Sequence, residues 1–286
     1  MSRSSTIPRG PITRALSHRT GILAAAFTLL GLTLAVPVRA EAVFPISEES
    51  VQAALGGREG TLVVIDTATG RTSVYNPALA SRRYAPCSTF KIWNTLFGLE
   101  SGLIEAPDEL FYKWDGQERW LADWNRDLTL REAYQVSCVP AYQELARRIG
   151  AERMRVWIER IGYGDQDLSA GEDIFWLPAT GRKTLLISAG EQAHLMARLA
   201  SGDVPFGSSA QAVLKYIMTA KTSEHGILYG KTGTGGAADS DTEDALGWYV
   251  GYVERGSETY AYACLVKGPG VTGKDARAVV EDILWR

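Results

Sequence analysis

Hydrophobic and polar positions follow two different periods along the chain, and the period changes twice. Residues 61–75 alternate as two strands would around a turn at Ala68-Thr69-Gly70. Helical spacing then dominates in five segments: Thr89 to Ser101, Leu128 to Gln135, Tyr142 to Ile149, Glu152 to Ile161 and Glu191 to Ala200. From His225 the pattern predicts three more strands, the last two around a turn at residues 255–257, and then an amphipathic helix over residues 275–285.

This order of elements predicts a sheet built from both ends of the pattern, with a helical lobe inserted between them. We expect a sheet lobe from residues 41–80 and 216–286 and a helical lobe over about 81–215. No internal repeat or linker interrupts residues 41–286, so we expect a single domain. A binding site would most naturally lie where the two lobes meet.

The first forty residues have a composition of their own. Arginines precede an apolar run from Gly21 to Val38, and no acidic residue occurs before Glu41, which is typical of a secretory signal peptide. Val38 and Ala40 fit the small-residue rule for cleavage before Glu41. An uncleaved membrane anchor is the alternative, because the run approaches the roughly 20 residues that span a bilayer. We expect residues 1–40 to be removed and the product to be periplasmic, without stable membrane insertion.

Charge and cysteine content exclude two classes of partner. Removal of residues 1–40 takes five of the 30 basic residues and none of the 33 acidic ones, so the net charge falls from −3 to about −8. Nucleic acid is therefore not an expected partner. The three cysteines, Cys87, Cys138 and Cys264, have no metal-ligand spacing, and no metal is expected.

The segment PCSTFK, residues 86–91, places a hydroxyl and an amine on one helix face. If Ser88 begins the helix, Lys91 lies one turn later and can reach the hydroxyl as a base. The pKa of Lys91 must then fall by roughly 3 units, which burial among its apolar neighbours can supply. The alternative is a capping serine followed by a lysine that extends to solvent, and for this common spacing alone that alternative is favoured.

A second motif, GKTG at residues 230–233, excludes one function and suggests another. A phosphate-binding loop would need glycine at position 225, which is His225. No serine has the G-x-S-x-G setting of a Ser-His-Asp hydrolase, and His194 and His225 have no suggestive neighbours. A strand-borne K-T-G downstream of S-x-x-K instead occurs in serine enzymes that react with penicillins.

Four further motifs complete an ordered series with S-x-x-K and K-T-G. After QVSCVP (135–140) come GYGDQD (162–167) and IFWLP (174–178), and GWYVG (247–251) follows K-T-G. The series closely resembles the class D, or oxacillinase-type, serine β-lactamases over most of the chain after residue 40. The resemblance implies an α+β, β-lactamase/transpeptidase-like fold: a helical lobe against a five-stranded, mostly antiparallel sheet flanked by N- and C-terminal helices. It also implies a small-molecule β-lactam substrate.

The resemblance assigns roles to individual residues. Ser88 is similar to the acylated nucleophile and Lys91 to the family's N6-carboxylated lysine, the general base, which requires CO2 or bicarbonate but no other cofactor. Trp176 would hold the carboxylated side chain, and Val139 would keep it dry. Ser137 would relay protons with Lys231. The implied oxyanion hole uses the backbone N–H groups of Ser88 and Thr234, and the implied substrate contacts are Lys231, Thr232, Gly233, Arg277, Leu121, Trp124 and Leu177.

Some features depart from the family or leave alternatives open. Asp165 stands where the family has Asn in Tyr-Gly-Asn. Cys87 and Cys138 adjoin Ser88 and Ser137, so a disulfide between them is one hypothesis, and two buried thiols are the other. A penicillin-binding transpeptidase or carboxypeptidase and a β-lactam sensor share much of the pattern. The oligomeric state is expected to be a monomer or a homodimer.

Overall fold

A six-stranded sheet lies at the centre of the computed structural model, which describes residues 46–179, 181–235 and 245–285. The strands are β1 (Glu59–Asp66), β2 (Thr72–Tyr75), β3 (Arg83–Tyr84), β4 (Leu110–Tyr112), β5 (Leu128–Thr129), β6 (Ile187–Ser188), β7 (Thr219–Ser223), β8 (Gly226–Gly235), β9 (Leu246–Arg255) and β10 (Glu258–Lys267). The helices are α1 (Glu48–Leu55), α2 (Pro77–Ala80), α3 (Lys91–Glu100), α4 (Leu130–Gln135), α5 (Val139–Ile149), α6 (Ala151–Ile161), α7 (Ala189–Ala200), α8 (Ser208–Met218) and α9 (Gly273–Leu284). Short 3-10 turns span Cys87–Phe90 and Ala122–Trp124.

The main sheet has the order β2-β1-β10-β9-β8-β7, and every neighbouring pair is antiparallel. The expectation of a mostly antiparallel sheet flanked by terminal helices is confirmed. The expected number of five strands is wrong, because β7 adds a sixth. Its sequence TAKTS lacks the apolar alternation of a buried strand. Such alternation is not needed there, because β7 lies at the edge of the sheet and its residues are at least partly exposed.

Each face of the sheet buries a separate apolar cluster. Residues of alternate position on β1, such as Leu62 and Val64, pack with α1 and α9, whereas Val63 and Ile65 face the helical lobe. This alternation follows from the two-residue repeat of a strand. The helical lobe thus packs on one face of the sheet, and α1 and α9 cover the other.

Capping groups in the sequence determine where several helices begin. Thr129 and Glu132 form a capping box at α4, and Ser188 and Glu191 form one at α7. Residues 128–135, predicted as one helix, therefore begin as the two-residue strand β5 before α4 starts. Helix α8 was not predicted from the pattern.

The predicted signal peptide, residues 1–40, lies outside the described residues. Among the residues that the structure describes, no helix is both long and apolar enough to cross a membrane.

Candidate active site

The turn that carries Ser88 runs directly into helix α3. The 3-10 turn Cys87–Phe90 is followed without a break by Lys91, and Ser88 is half-buried. Lys91 Nζ donates a hydrogen bond to Ser88 Oγ at 2.8 Å. Cys87, just before Ser88, has a φ of 52°, a backbone conformation that is uncommon for a residue other than glycine. The structure therefore brings the hydroxyl and the amine together through a strained turn of the kind that occurs at functional sites.

Lys91 is completely buried, and burial controls its titration. Its side chain has no exposed surface, and desolvation lowers its pKa from 10.5 to about 7. The thiols of Cys87 and Cys138 oppose this shift weakly, and burial raises the pKa of Cys87 itself to about 12. The ring of Tyr142 lies 5.4 Å from Lys91 Nζ. A substantial fraction of Lys91 is therefore neutral at neutral pH.

Trp176 brings a buried hydrogen-bond donor into the apolar surroundings of this turn. Its indole stacks on Phe90, with the ring centroids 5.7 Å apart, and both residues are fully buried. The Nε1–H group has no hydrogen-bond partner among the described residues. A buried unpaired donor is costly, so its presence points to an acceptor that completes the site. Val139, the first residue of α5, is partly buried and belongs to the surrounding apolar cluster.

Ser137 and Lys231 form the second hydroxyl–amine pair. Lys231 Nζ donates to Ser137 Oγ at 3.1 Å and to the carbonyl oxygen of Thr232 at 2.9 Å. Ser137 lies between α4 and α5 with a φ of 55°, so this junction, like the turn before Ser88, is strained. Lys231 is almost fully buried, and burial lowers its pKa well below 10.5, with a further contribution from the positive charge of Lys91.

Strand β8 places K-T-G against the turn that carries Ser88. A Cβ atom at Gly233 would lie 3.0 Å from the Pro86 carbonyl oxygen and 3.1 Å from Thr89 Cγ2, so glycine allows the close approach. Thr232 and Thr234 face the other way, and Thr234 Oγ1 accepts a hydrogen bond from the Gly273 amide at the start of α9.

Of the three residues predicted to line the pocket, Trp124 is buried, and Leu121 and Leu177 are partly exposed. Trp124 is buried, and its Nε1 donates to the carbonyl oxygen of Val136, the residue before Ser137, at 3.0 Å. Leu121 and Leu177 are partly buried and pack against the same apolar cluster. All three side chains thus belong to, or pack against, the apolar cluster of the helical lobe.

Arg277 lies on α9, on the face of the sheet opposite the helical lobe. Its Nε donates to Glu281 at 2.7 Å, and its guanidinium lies over the ring of Tyr249, the strand partner of Thr232. These contacts connect it to its own helix and to β9, not to Ser88, Ser137 or Lys231.

The two departures from the family pattern have simple outcomes. Asp165 Oδ1 accepts a hydrogen bond from the Leu186 amide at 2.9 Å, a role that the carbonyl oxygen of asparagine serves equally well. The disulfide hypothesis is wrong, because Cys87 and Cys138 are both free, buried thiols. A small apolar setting favours the thiol form there.

Two aromatic residues beside the lysines had no signal in the sequence. Tyr142 lies beside Lys91, and its hydroxyl is 2.9 Å from Thr95 Oγ1. The ring of Tyr134 lies 5.6 Å from Lys231 Nζ. In the sequence both tyrosines occupy ordinary core positions of amphipathic helices, and only the folded chain shows what they contact.

Comparisons with known proteins agree with this geometry. The family described as "Penicillin binding protein transpeptidase domain" matches residues 60–285. Probable beta-lactamase YbxI from Bacillus subtilis (strain 168) is 36% identical over 239 residues, which cover 84% of this chain and 85% of that protein. The solved structure of the class D beta-lactamase BAT-2 is 34% identical with a TM-score of 0.75, and the match covers 84% of this chain and 97% of that one.

One solved structure has a different role. The C-terminal domain of the Bacillus licheniformis BlaR penicillin-receptor is 28% identical with a TM-score of 0.75, over 82% of this chain and 93% of that one. The solved structures of BPu1 beta-lactamase and of a class D beta-lactamase from Bacillus subtilis are 38% and 35% identical. The chain therefore belongs to the class D β-lactamases, a family of hydrolases within the penicillin-binding transpeptidase fold.

Proposed function

We propose that this protein opens β-lactam antibiotics through an acyl-enzyme on Ser88 and then hydrolyses that ester, with N6-carboxylated Lys91 as general base in both steps. The observation that carries the proposal is the 2.8 Å hydrogen bond from a fully buried Lys91 to Ser88 Oγ. Burial favours the neutral amine, which is the form that adds CO2.

Ser88, Lys91, Ser137 and Lys231 together support the acylation step. Ser88 Oγ transfers its proton to the Lys91 side chain and attacks the lactam carbonyl carbon. The ring C–N bond breaks, and the nitrogen takes a proton from Ser137 Oγ. Lys231 then gives a proton to Ser137 Oγ across their 3.1 Å hydrogen bond. The backbone N–H groups of Ser88 and Thr234 stabilise the oxyanion.

Deacylation uses the same groups with water as the nucleophile. The Lys91 side chain first passes the proton taken from Ser88 to the deprotonated Lys231, which restores both groups. Water then gives a proton to the Lys91 side chain and attacks the ester carbonyl, and Ser88 leaves with that proton. Carboxylation supplies an anionic proton acceptor at Lys91. The unpaired Nε1–H of Trp176 fits such an anion, and the apolar Val139 limits competition from solvent.

The substrate is bound at both ends in this proposal. Lys231 and Gly233 contact the β-lactam from the side of β8 that faces Ser88, and Thr232 and Arg277 bind its carboxylate from the α9 side. Leu121, Trp124 and Leu177 line the apolar side near the substrate side chain.

The protein is proposed to be exported to the periplasm. The arginine-rich start, the apolar run and the Val38–Ala40 cleavage pattern support removal of residues 1–40. Mass spectrometry of the exported protein should then show a new N-terminus at Glu41. Retention of Met1 or of the apolar run in the periplasmic fraction would contradict this processing.

The test of function is repeated turnover. Purified protein is mixed with a chromogenic cephalosporin, with and without bicarbonate, after brief exposure to low pH. We expect many turnovers per molecule, and bicarbonate should restore the activity that acid treatment removes. Lys91→Ala should slow deacylation by at least about 100-fold, so that the acyl-enzyme accumulates and is visible by mass.

Lys183→Ala is the matched control, because Lys183 is an exposed lysine paired with Asp167. It should retain the activity of the unaltered protein.

The similarity to the BlaR domain makes a sensor the second candidate. A single stoichiometric burst without turnover would favour the sensor, and unchanged turnover in Lys91→Ala would exclude Lys91 as the base.

A further inference from the structure

Lys231 is a buried lysine whose partners are mostly neutral. Only 4% of its surface is exposed, and its hydrogen bonds go to the Ser137 hydroxyl and the Thr232 carbonyl. Within residues 46–179, 181–235 and 245–285, no ion pair joins Lys231 to a carboxylate. A buried ammonium in such surroundings needs other electron-rich partners to keep its charge.

The groups around Lys231 differ in what they do to that charge. From α3, Lys91 opposes it when cationic and favours it when carboxylated. Cys87 of the nucleophile turn and Cys138 before α5 face Lys91 and are thiols with raised pKa values. From α4 and β9, the phenols of Tyr134, Tyr249 and Tyr252 have raised pKa values and are neutral. The titratable groups around Tyr134 are Tyr142 of α5, Tyr249 and Tyr252 of β9 and Tyr262 of β10, and burial raises the pKa of each of them as well.

Tyr134 provides the electron-rich surface. Its ring centroid lies 5.6 Å from Lys231 Nζ, within the range of a cation–π interaction. The ring is almost fully buried, so water does not screen the contact. Tyr134 lies three residues before Ser137, and the Ser137 amide donates to its carbonyl oxygen at 3.1 Å. One short segment thus places both the ring and the hydroxyl against the same amine.

The hydroxyl of Tyr134 does not explain why an aromatic residue is present. It is buried and has no hydrogen-bond partner among the described residues, which is a cost that an aliphatic side chain would avoid. A leucine at this position would fill the core without that cost. The contribution specific to an aromatic ring is its negative face.

We propose that Tyr134 is a positioning residue of the active site, whose ring face binds the Lys231 ammonium and holds it against the Ser137 hydroxyl. The kinetic consequence rests on the proposed function, in which Lys231 replaces the Ser137 proton. The contact itself does not depend on that function, so it can be measured separately.

The first experiment compares Tyr134→Leu with Tyr134→Phe in the full protein. Tyr134→Leu removes the ring, so the alkaline limb of kcat/KM against pH should move about 1 unit lower. Tyr134→Phe keeps the ring, so its alkaline limb should stay within about 0.3 units of the original value. Tyr216→Leu removes an exposed ring from the surface cation Arg131 and should leave the profile unchanged.

A second measurement does not need turnover or a core truncation. In the Tyr134→Phe variant, the phenylalanine is replaced by analogues with one, two and three ring fluorines. The fluorines weaken the negative face of the ring with little change in its shape. The Lys231 side-chain resonance, assigned by its loss in Lys231→Arg, is titrated by NMR. Its pKa should fall stepwise with each fluorine.

Two outcomes would overturn the inference. One is a Lys231 titration that is the same across the fluorinated series. The other is an equal shift in Tyr134→Phe and Tyr134→Leu, which would assign the effect to the hydroxyl. If the protein fails to turn over cephalosporin while the Lys231 titration responds as expected, the proposed function fails and the contact stands.

Discussion

Lys91 has an ordinary side chain whose chemistry depends on its surroundings. Complete burial brings its pKa to about 7, and the two neighbouring thiols are too weakly ionised to reverse that effect. Two lysines in one site are thereby held in different environments. Lys91 lies beside Tyr142 and Ser88, while Lys231 lies between Ser137 and Tyr134. Separation of charge states among neighbouring groups is a common way to assign base and acid roles.

The depressed pKa of Lys91 predicts how stability changes with pH. Between about pH 7 and 10.5 the unfolded chain binds a proton that the native amine has lost. The free energy of unfolding therefore rises with pH there, by up to about 1.4 kcal/mol per unit from this group. Below pH 7 both states are protonated and this slope disappears. Lys91→Met should remove the contribution.

The measurement is urea unfolding from pH 6 to 9.5 in buffer free of CO2. We expect the stability difference between Lys91→Met and the unaltered protein to shrink as the pH rises. Lys183→Met, at an exposed position, serves as the control and should follow the unaltered protein. Parallel curves for the unaltered protein and Lys91→Met would contradict the assignment.

At the scale of elements, the site forms where strand β8 packs against the turn before α3. The turn presents Ser88 from one side, and β8 presents Lys231 from the other. The two elements approach closely at Gly233, where a Cβ atom would lie 3.0 Å from the Pro86 carbonyl oxygen, and at Gly235, where one would lie 2.7 Å from Cys87 Sγ. Glycine at both positions allows this spacing.

Gly233→Ala should therefore separate the two elements. Its Cβ would meet the Pro86 carbonyl at 3.0 Å, and backbone atoms cannot rotate away as a flexible side chain can. We expect kcat/KM for a chromogenic cephalosporin to fall at least about tenfold, with a loss of stability of about 1–3 kcal/mol.

Gly190→Ala is the control for this change. Its nearest atoms lie 3.8 Å from the added Cβ, so the methyl group fits, and the variant should be as active and at least as stable. Equal activity of Gly233→Ala and the unaltered protein would show that the approach of β8 does not set the site geometry.

For the whole molecule, local spacing predicted more than long-range placement. Ser88 and Lys91 are three residues apart, and helix geometry alone brings them together. Ser137 and Lys231 are 94 residues apart, so only the ordered motifs of a known family could pair them. The ring of Tyr134 beneath Lys231 had no signal, because contact between distant elements leaves no trace in the pattern of either. Strand β7 was missed for a related reason: its order comes from pairing with β8, not from its own composition.

The sheet also imposes an order in time. Strand β1 lies between β2 and β10, and Leu62 is paired with Cys264. A chain that emerges from its N-terminus therefore holds β1 without its main partner until almost all of the sequence is present, and such distant pairing is slow to form. Strand β8, which carries Lys231, joins the sheet through β9 and β10. The growing polypeptide thus reaches its reactive arrangement last, and shorter nascent chains have the serine but not the completed site.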